Sequence, residues 1–439
     1  MSTSTTTDIR IGNYAGDTVE SSSDSRRAIV IIGALFFVFG FVTWLNGTLI
    51  QFLKLTCQLD NDLQAFFVTF AFYMAYFFLA LPSSFILKKT GYKKGMALGL
   101  LIMAVGSLIF LPAARNRSFP LFLTGLFVQA AGMALLQTAS NPYISIVGPI
   151  ESAAKRISIM GLCNKIGGAL SPLILSALVL KGAEQLEKNI LAATLPAEKE
   201  ALLNQLASRI VMPYIIMSIL LAVLAFVTLK SALPEIGAEK EQAGAASSNG
   251  KTSVFRFPHL LLGVLCLFLY VGVEVMAGDA IGIYGKTIGI TIDKTRYFTT
   301  FTLLSMLAGY IIGIFTIPRI ITQQTALKLS AILGILFTAC VFFTGGYTSI
   351  MFIALLGLAN ALMWPAIFPL AIKGLGKFTR TGSALLIMGI AGGALIPLLY
   401  GWLKVPTRLG NSFAFMVCML PCYAYILFYS IKGYKAGHR

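Results

Sequence analysis

Charge is scarce in this chain of 439 residues. Only 12% of the residues are charged and 57% are apolar, whereas soluble globular domains hold about 25% charged and 45–50% apolar residues. A water-soluble fold of this composition would expose apolar surface on every side. The sequence therefore excludes an ordinary soluble protein, and its mean hydropathy of +0.82 predicts a membrane protein.

Histidine is nearly absent, and cysteine pairs are lacking. The two histidines, His259 and His438, lie far apart, and none of the six cysteines forms a CxxC pair. Metal sites and histidine-based catalytic sets need such clusters. We therefore expect no metal site, no resident cofactor and no enzymatic activity. A small-residue cleavage motif is also missing after the polar leader, residues 1–27, which we expect to be disordered and cytoplasmic.

Long apolar runs fill the rest of the chain. A bilayer core about 30 Å thick needs about 20 apolar residues per helical span, and none of the runs alternates as a membrane barrel strand would. The sequence predicts an all-α polytopic membrane protein with twelve transmembrane helices. The predicted spans are 28–53, 62–87, 95–113, 119–148, 157–180, 210–230, 259–285, 297–320, 326–345, 348–372, 381–403 and 411–431.

Two similar halves are predicted on either side of a polar linker. Residues 231–258 are polar and rich in Ala, Ser and Gly near 243–250, so they separate six spans in residues 28–230 from six in 259–439. The segments IGGALSPLIL (Ile166–Leu175) and AGGALIPLLY (Ala391–Tyr400) are near-copies in the fifth and eleventh spans. This placement is typical of two parallel six-helix repeats, although small residues also recur in membrane helices for packing alone.

The basic residues predict the orientation. With both termini in the cytoplasm, most of the 34 Lys and Arg residues fall in cytoplasmic segments, as the positive-inside rule requires. The formal charge of +17 therefore marks topology and contact with the lipid bilayer rather than a nucleic-acid partner. A second polar insert, residues 181–209, is predicted to form an amphipathic surface helix on the outer side.

Several motifs resemble one transporter family. They are FVFGFVTWLNGTLIQF (Phe37–Phe52), LQTASNP (Leu136–Pro142), CNKIG (Cys163–Gly167), YVGVEVMAG (Tyr270–Gly278), PAIFPLAIK (Pro365–Lys373) and GSALLIMGIAGGALIP (Gly382–Pro397). With them the chain resembles the fucose–galactose–glucose:cation symporter family of the major facilitator superfamily. The resemblance implies that this chain imports a neutral hexose of the glucose or galactose type across the bacterial inner membrane, as a monomer, by alternating access.

The resemblance also implies a coupling cation, either Na⁺ or H⁺. In proton-coupled relatives the motifs corresponding to LNG and LQTASNP carry an Asp and a Glu. Here those positions are Gly47 and Gln137, and neither residue can titrate. An uncoupled facilitator, or a carrier of fucose or of an N-acetylated amino sugar such as N-acetylglucosamine, therefore stays open as an alternative.

Three charged side chains lie away from the ends of the predicted spans. Charged side chains are costly in the membrane and mark functional sites. Lys165 lies in the fifth span, and Glu274 and Asp279 lie in the seventh. The two acids are five residues apart, about 140° around a helix, so one cavity can receive only one of them squarely. We predict roles in ion coupling or gating, with an ion pair from Lys165 to either acid; a purely structural pair is the alternative.

Amide side chains provide the predicted sugar site. Sugars are bound by paired donors and acceptors together with flat apolar faces. We predict six substrate-binding residues, and the alternative for each amide is helix packing. They are Asn46, Gln137, Asn141, Asn164, Asn360 and Trp364.

Other classes of membrane protein fit less well. A membrane enzyme would need a catalytic cluster at the membrane surface, which two peripheral histidines do not supply. A channel would need a selectivity filter built by several subunits, whereas an internal repeat builds one cleft within a single chain.

Overall fold

The computed structural model describes residues 22–146, 153–231, 233, 253–317, 320–375, 378–405 and 408–437. Most of the predicted leader and most of the predicted linker therefore lie outside the described residues. The assignment of both segments, and of the two halves as separate domains, stays a prediction.

Helices are the only regular elements within the described ranges. Those before the linker are Ser22–Thr43, Asn46–Thr56, Asp62–Ala65, Phe67–Arg115, Phe119–Ile146, Ala153–Val179, Ala183–Ala192, Pro196–Ser208 and Val211–Lys230. Those after it are Pro258–Gly278, Ile281–Thr287, Ile292–Thr295, Phe298–Thr316, Gln323–Phe343, Gly346–Asn360, Met363–Ile372, Thr379–Met388, Gly392–Leu403 and Asn411–Ile431. Short 3₁₀ turns lie at Val254–Arg256, Gly389–Ala391 and Gly433–Lys435.

Twelve helical stretches in the described part of the chain are long and apolar enough to cross a bilayer. The prediction of an all-α polytopic fold is confirmed. The spans, numbered from first to twelfth, are Ile29–Thr56, Asp62–Leu87, Lys89–Arg115, Phe119–Ser140, Ile159–Val179, Pro196–Lys230, Pro258–Gly278, Ile292–Thr316, Gln323–Phe343, Gly346–Ile372, Thr381–Leu403 and Asn411–Ile431.

Several helices differ from the sequence prediction. The seventh span ends at Gly278 instead of continuing to residue 285, and a separate helix covers Ile281–Thr287. The first span is interrupted at Trp44 and Leu45. The insert over 181–209 forms two helices, Ala183–Ala192 and Pro196–Ser208, instead of one. Apolar composition runs through the first and seventh spans without a change, so hydropathy does not reveal where their backbones turn.

The repeated segments make equivalent contacts. In the fifth span Gly167 lies against the backbone of Phe37 in the first span, and in the eleventh span Gly392 lies against the backbone of Phe268 in the seventh. Both contacts are too close for any larger residue. Close helix pairs of this kind are typical of small residues in membrane proteins. The near-copies in the sequence therefore serve the same packing role in each half.

Asp62 joins the two halves on the predicted outer side, where the first span ends at Thr56. Its carboxylate pairs with Lys54 of the first span and with Lys404, which follows the eleventh span. The Lys404 Nζ also donates to Thr287 Oγ1 at 2.9 Å. Burial lowers the pKa of the Lys404 ammonium, while the Asp62 charge opposes that shift. Lys404 is thus held by acceptors from both halves.

Three further contacts connect the halves on the same side. They are Lys286 Nζ to Glu187 Oε1 at 3.1 Å, Arg296 Nη1 to the Leu180 carbonyl oxygen at 2.9 Å, and Thr295 Oγ1 to Gln51 Oε1 at 2.8 Å. The side predicted to be outer is therefore closed in this structure.

Cys57 provides a native reporter of this closure. It follows Thr56 directly, and burial raises the pKa of its thiol to about 11, against about 8.5 for an exposed thiol. Because the thiolate is the reactive form, Cys57 should react slowly with maleimide in the wild-type protein. We expect Asp62→Asn, which frees Lys54 and Lys404, to raise the labelling rate at neutral pH by at least about tenfold.

Mass spectrometry of the peptide that contains Cys57 gives this rate. The matched control is Asp60→Asn, because Asp60 lies in the same turn, is exposed and carries the same charge. Equal labelling rates in the two variants would contradict a closing role for Asp62.

Candidate functional site

A buried ion pair lies between the halves. Lys165 Nζ of the fifth span contacts Glu274 Oε1 of the seventh at 2.9 Å, and the side chains are only 8% and 11% exposed. Of the two acids proposed from the sequence, the structure pairs Lys165 with Glu274. The five-residue separation explains why only one of the two acids pairs with Lys165, because they point in different directions around the helix.

Trp44 completes the surroundings of Lys165. The ammonium lies 4.8 Å from the centre of the Trp44 ring, within the range of a cation–π interaction. The ring is buried and lies between Gly168 of the fifth span and Gly278 of the seventh. It follows Thr43, where the first helix ends. The interruption of the first span therefore places an aromatic ring against the ion pair.

Three buried tyrosines surround Glu274. The hydroxyl groups of Tyr270, Tyr310 and Tyr423 lie near enough to interact electrostatically with the carboxylate. Tyr423 also donates to Asn360 Oδ1 at 2.9 Å. Through Tyr423, the predicted sugar ligand Asn360 is connected to the ion pair.

A second polar chain runs from the fourth span. Gln137 Nε2 donates to the Tyr76 hydroxyl at 3.0 Å, and both groups are buried. Tyr73, one helical turn before Tyr76, lies near both Glu274 and Asp279. Gln137 is thus linked to the acids of the seventh span by two tyrosines of the second span.

Asp279 and Asn46 have unused hydrogen-bonding capacity. Both are 0% exposed, and none of the Asp279 oxygens or Asn46 amide atoms makes a well-formed hydrogen bond, although the Tyr73 hydroxyl lies close to both side chains. The Tyr73 hydroxyl and the Gly47 amide face the Asp279 carboxylate. Buried polar groups normally have partners. Such unpaired atoms at the junction of the first and seventh spans indicate a place for an ion or a ligand.

The remaining predicted ligands have different surroundings. Asn164 Nδ2 donates to the Phe36 carbonyl at 3.4 Å, which is a packing contact between the fifth and first spans. Trp364 is half-buried, with its ring centre 6.4 Å from that of Tyr270. The Asn141 side chain lies outside what the structure describes. The substrate and ion roles of all nine predicted residues stay predictions.

Sequence reasoning missed Trp44 and the tyrosines. Tyr and Trp are usually enriched at the membrane interfaces, so their occurrence inside spans was the available signal. The spans concerned are Ile29–Thr56, Asp62–Leu87, Pro258–Gly278, Ile292–Thr316 and Asn411–Ile431. The arrangement as a whole is a polar core that can hydrogen-bond a neutral ligand.

The described part of the chain contains no group of three or more His, Cys, Asp or Glu residues that could hold a metal ion.

Comparison with known proteins points to one family. Residues 31–400 match the Major Facilitator Superfamily. The chain is 33% identical over 433 residues to a glucose/galactose transporter of Brucella abortus, which covers 98% of this chain and 100% of the relative. It is 31% identical to a putative glucose/galactose transporter of Helicobacter pylori, over 94% of this chain and 98% of that protein.

A solved structure agrees in fold. The transporter FucP in its outward conformation matches 92% of this chain and 97% of its own length, with a TM-score of 0.71 and 25% identity. The L-fucose-proton symporter of Escherichia coli is 26% identical, over 94% of both chains.

Proposed function

Because the chain belongs to the Major Facilitator Superfamily, we propose that it imports a neutral hexose of the glucose or galactose type across the bacterial inner membrane. The similarity to the glucose/galactose transporter of Brucella abortus and to the putative one of Helicobacter pylori supports this sugar class. In the proposal both termini lie in the cytoplasm, as the basic residues predict. The two halves expose a central site to each side in turn, and a cation, Na⁺ or H⁺, is carried with the sugar.

The observation that carries the sugar proposal is a set of unused amide groups. Asn46 belongs to the N-terminal half and Asn360 to the C-terminal half. Neither amide atom of Asn46 makes a well-formed hydrogen bond, although the Tyr73 hydroxyl lies nearby, and Asn360 Nδ2 makes none. A buried amide group without a hydrogen bond costs about 1–3 kcal/mol. A sugar hydroxyl can both donate and accept, so it satisfies these groups, while Trp364 beside Tyr270 offers a flat apolar surface.

Counterflow in proteoliposomes tests this proposal. The purified protein is expected to exchange labelled D-glucose or D-galactose for an internal pool of the same sugar without any ion gradient. L-Fucose and N-acetylglucosamine serve as comparison substrates. Exchange of fucose or the amino sugar, with none of glucose or galactose, would contradict the proposed sugar class; no exchange of any of the four would contradict sugar transport itself.

Replacing Asn360 tests whether its amide group binds the sugar. We expect Asn360→Ala to weaken sugar binding at least about tenfold, equivalent to about 1.4 kcal/mol, because it removes the free Nδ2 donor. Quenching of Trp364, four residues away, reports binding. The control is Tyr423→Phe, which removes the hydroxyl that donates to Asn360 Oδ1 but leaves the Nδ2 donor in place, and it should weaken binding less. Wild-type affinity in Asn360→Ala would exclude this amide from the site.

A further inference from the structure

We propose that a cavity between the start of the ninth span and the end of the twelfth binds the phosphate headgroup of an anionic phospholipid. The cavity has a volume of about 410 Å³. Both spans belong to the C-terminal half, and none of the residues that line the cavity belongs to the polar core between the halves. The inference therefore goes beyond the proposed sugar transport and does not depend on it.

Two helices contribute positive charge to the cavity. Lys328 lies in the second turn of the ninth span, and Lys435 lies in the 3₁₀ turn that follows the twelfth. No Asp or Glu follows Asp293 anywhere in the sequence. Within the described residues, no carboxylate pairs with either lysine. Two like charges at one cavity repel each other, so an anion between them is favoured.

The 3₁₀ turn holds Lys435 at the cavity. Its backbone is fixed by a hydrogen bond from Lys435 N to the Lys432 carbonyl at 3.1 Å. A Cβ at Gly433 would lie only 2.7 Å from the Tyr429 ring, so the turn packs directly on the twelfth span. Lys435 is therefore part of an ordered wall of the cavity.

The start of the ninth span adds neutral donors. The Thr322 hydroxyl accepts from the Thr325 amide, and the two threonine hydroxyls share one hydrogen bond of 2.9 Å. One hydroxyl proton of the pair therefore remains to donate. Gln324 lines the same cavity, and the first amides of a helix have no partner within it. A phosphate only needs donors, and the positive end of the helix dipole also favours its charge.

An apolar edge favours a phospholipid over free phosphate. Ile431 lines the cavity and is 44% exposed, and Phe428, three residues earlier on the same helix, is equally exposed. Residues three apart share a helix face. A phospholipid can place its phosphate beside the lysines and an acyl chain along Ile431 and Phe428. Because the basic residues predict this side to be cytoplasmic, the lipid belongs to the cytoplasmic leaflet, where basic pockets between spans bind anionic headgroups.

A thermal-stability titration tests the proposal without any sugar. The full-length protein is exchanged into lipid-free detergent, and dioleoylphosphatidylglycerol is added. The Tm should rise to a plateau, because a ligand that binds only the folded state stabilises it. We expect Lys328→Gln with Lys435→Gln to shift the midpoint of this rise to a lipid concentration at least about tenfold higher. The matched control is Lys432→Gln, which should keep the wild-type midpoint, because Lys432 is exposed beside the same turn and does not line the cavity.

A conservative double variant separates charge from structure. Lys328→Arg with Lys435→Arg keeps both charges and should retain the wild-type midpoint. No rise of the Tm in the wild-type protein, or equal midpoints in the wild-type protein and the glutamine double variant, would overturn the site. An equal rise with dioleoylphosphatidylethanolamine would overturn recognition of the negative charge. An equal rise with inorganic phosphate would overturn the lipid as the ligand. Failure of sugar transport would leave all of these results unaffected.

Discussion

Replacing Glu274 by glutamine is expected to destabilise the protein by about 3–5 kcal/mol. The Lys165 side chain is 8% exposed, so the variant leaves a buried ammonium without its carboxylate. Water cannot reach it freely, and the Trp44 ring at 4.8 Å compensates only part of the lost interaction. A fall in the Tm of the detergent-solubilised protein measures the effect, and transport should be lost as well.

A double variant separates structure from transport. Lys165→Met with Glu274→Met removes both buried charges, and such replacements are often neutral or stabilising. We expect the Tm to return to about the wild-type value while transport stays absent. Wild-type transport by the double variant would assign the pair a purely structural role. Glu184→Gln is the control for the single variant, because it breaks the exposed pair with Lys188 and should leave the Tm unchanged.

Adding one methyl group at Gly47 should also have a large effect. The Cβ of Gly47→Ala would lie 2.5 Å from Thr299 Oγ1 and 3.2 Å from Asp279 Oδ1. Both neighbours belong to the C-terminal half, so the clash opposes closure of the outer side. Overpacking of this kind costs about 1–3 kcal/mol. We expect counterflow to slow by about tenfold, which corresponds to 1.4 kcal/mol within that range.

Second-site changes at Thr299 test the stated cause. Thr299→Ala removes the Oγ1 atom that the new methyl group would meet, and it should restore part of the lost rate in the Gly47→Ala background. Thr299→Val places a methyl group where Oγ1 was and should not. Equal recovery with Ala and Val, or wild-type counterflow in Gly47→Ala alone, would show that this contact does not limit transport.

The spans could be predicted because the bilayer leaves few solutions. A run of about 20 apolar residues must cross it as a helix, and the predicted second, fourth, eleventh and twelfth spans begin within a residue of the observed ones. The near-copies in the fifth and eleventh spans located the internal repeat. Composition and spacing were sufficient for these features.

The interruptions within spans could not be predicted. Neither Trp44 nor Asp279 is a helix breaker, and no proline precedes either position closely. At both places the backbone bonds stay local, from Trp44 N to the Gly40 carbonyl and from Asp279 N to the Val275 carbonyl, while the Trp44 ring packs between two other spans. Such contacts depend on residues more than 100 positions away. Local sequence therefore does not determine where these helices end.

The polar core was predicted only in part. Lys165 and Glu274 could be named because charge inside a span is rare, and five-residue spacing separated Glu274 from Asp279. Which acid pairs with the lysine depends on how each helix is rotated about its axis, and packing sets that rotation. The tyrosines around Glu274 have apolar rings as well as hydroxyls, so in the sequence they resemble ordinary packing residues.

The neutrality of the Lys165–Glu274 pair has an electrical consequence. A membrane potential does about 2.3 kcal/mol of work per elementary charge per 100 mV. Two opposite charges held 2.9 Å apart move together, so the potential does almost no net work on them. The ion pair can therefore move with the two halves without making that movement sensitive to voltage.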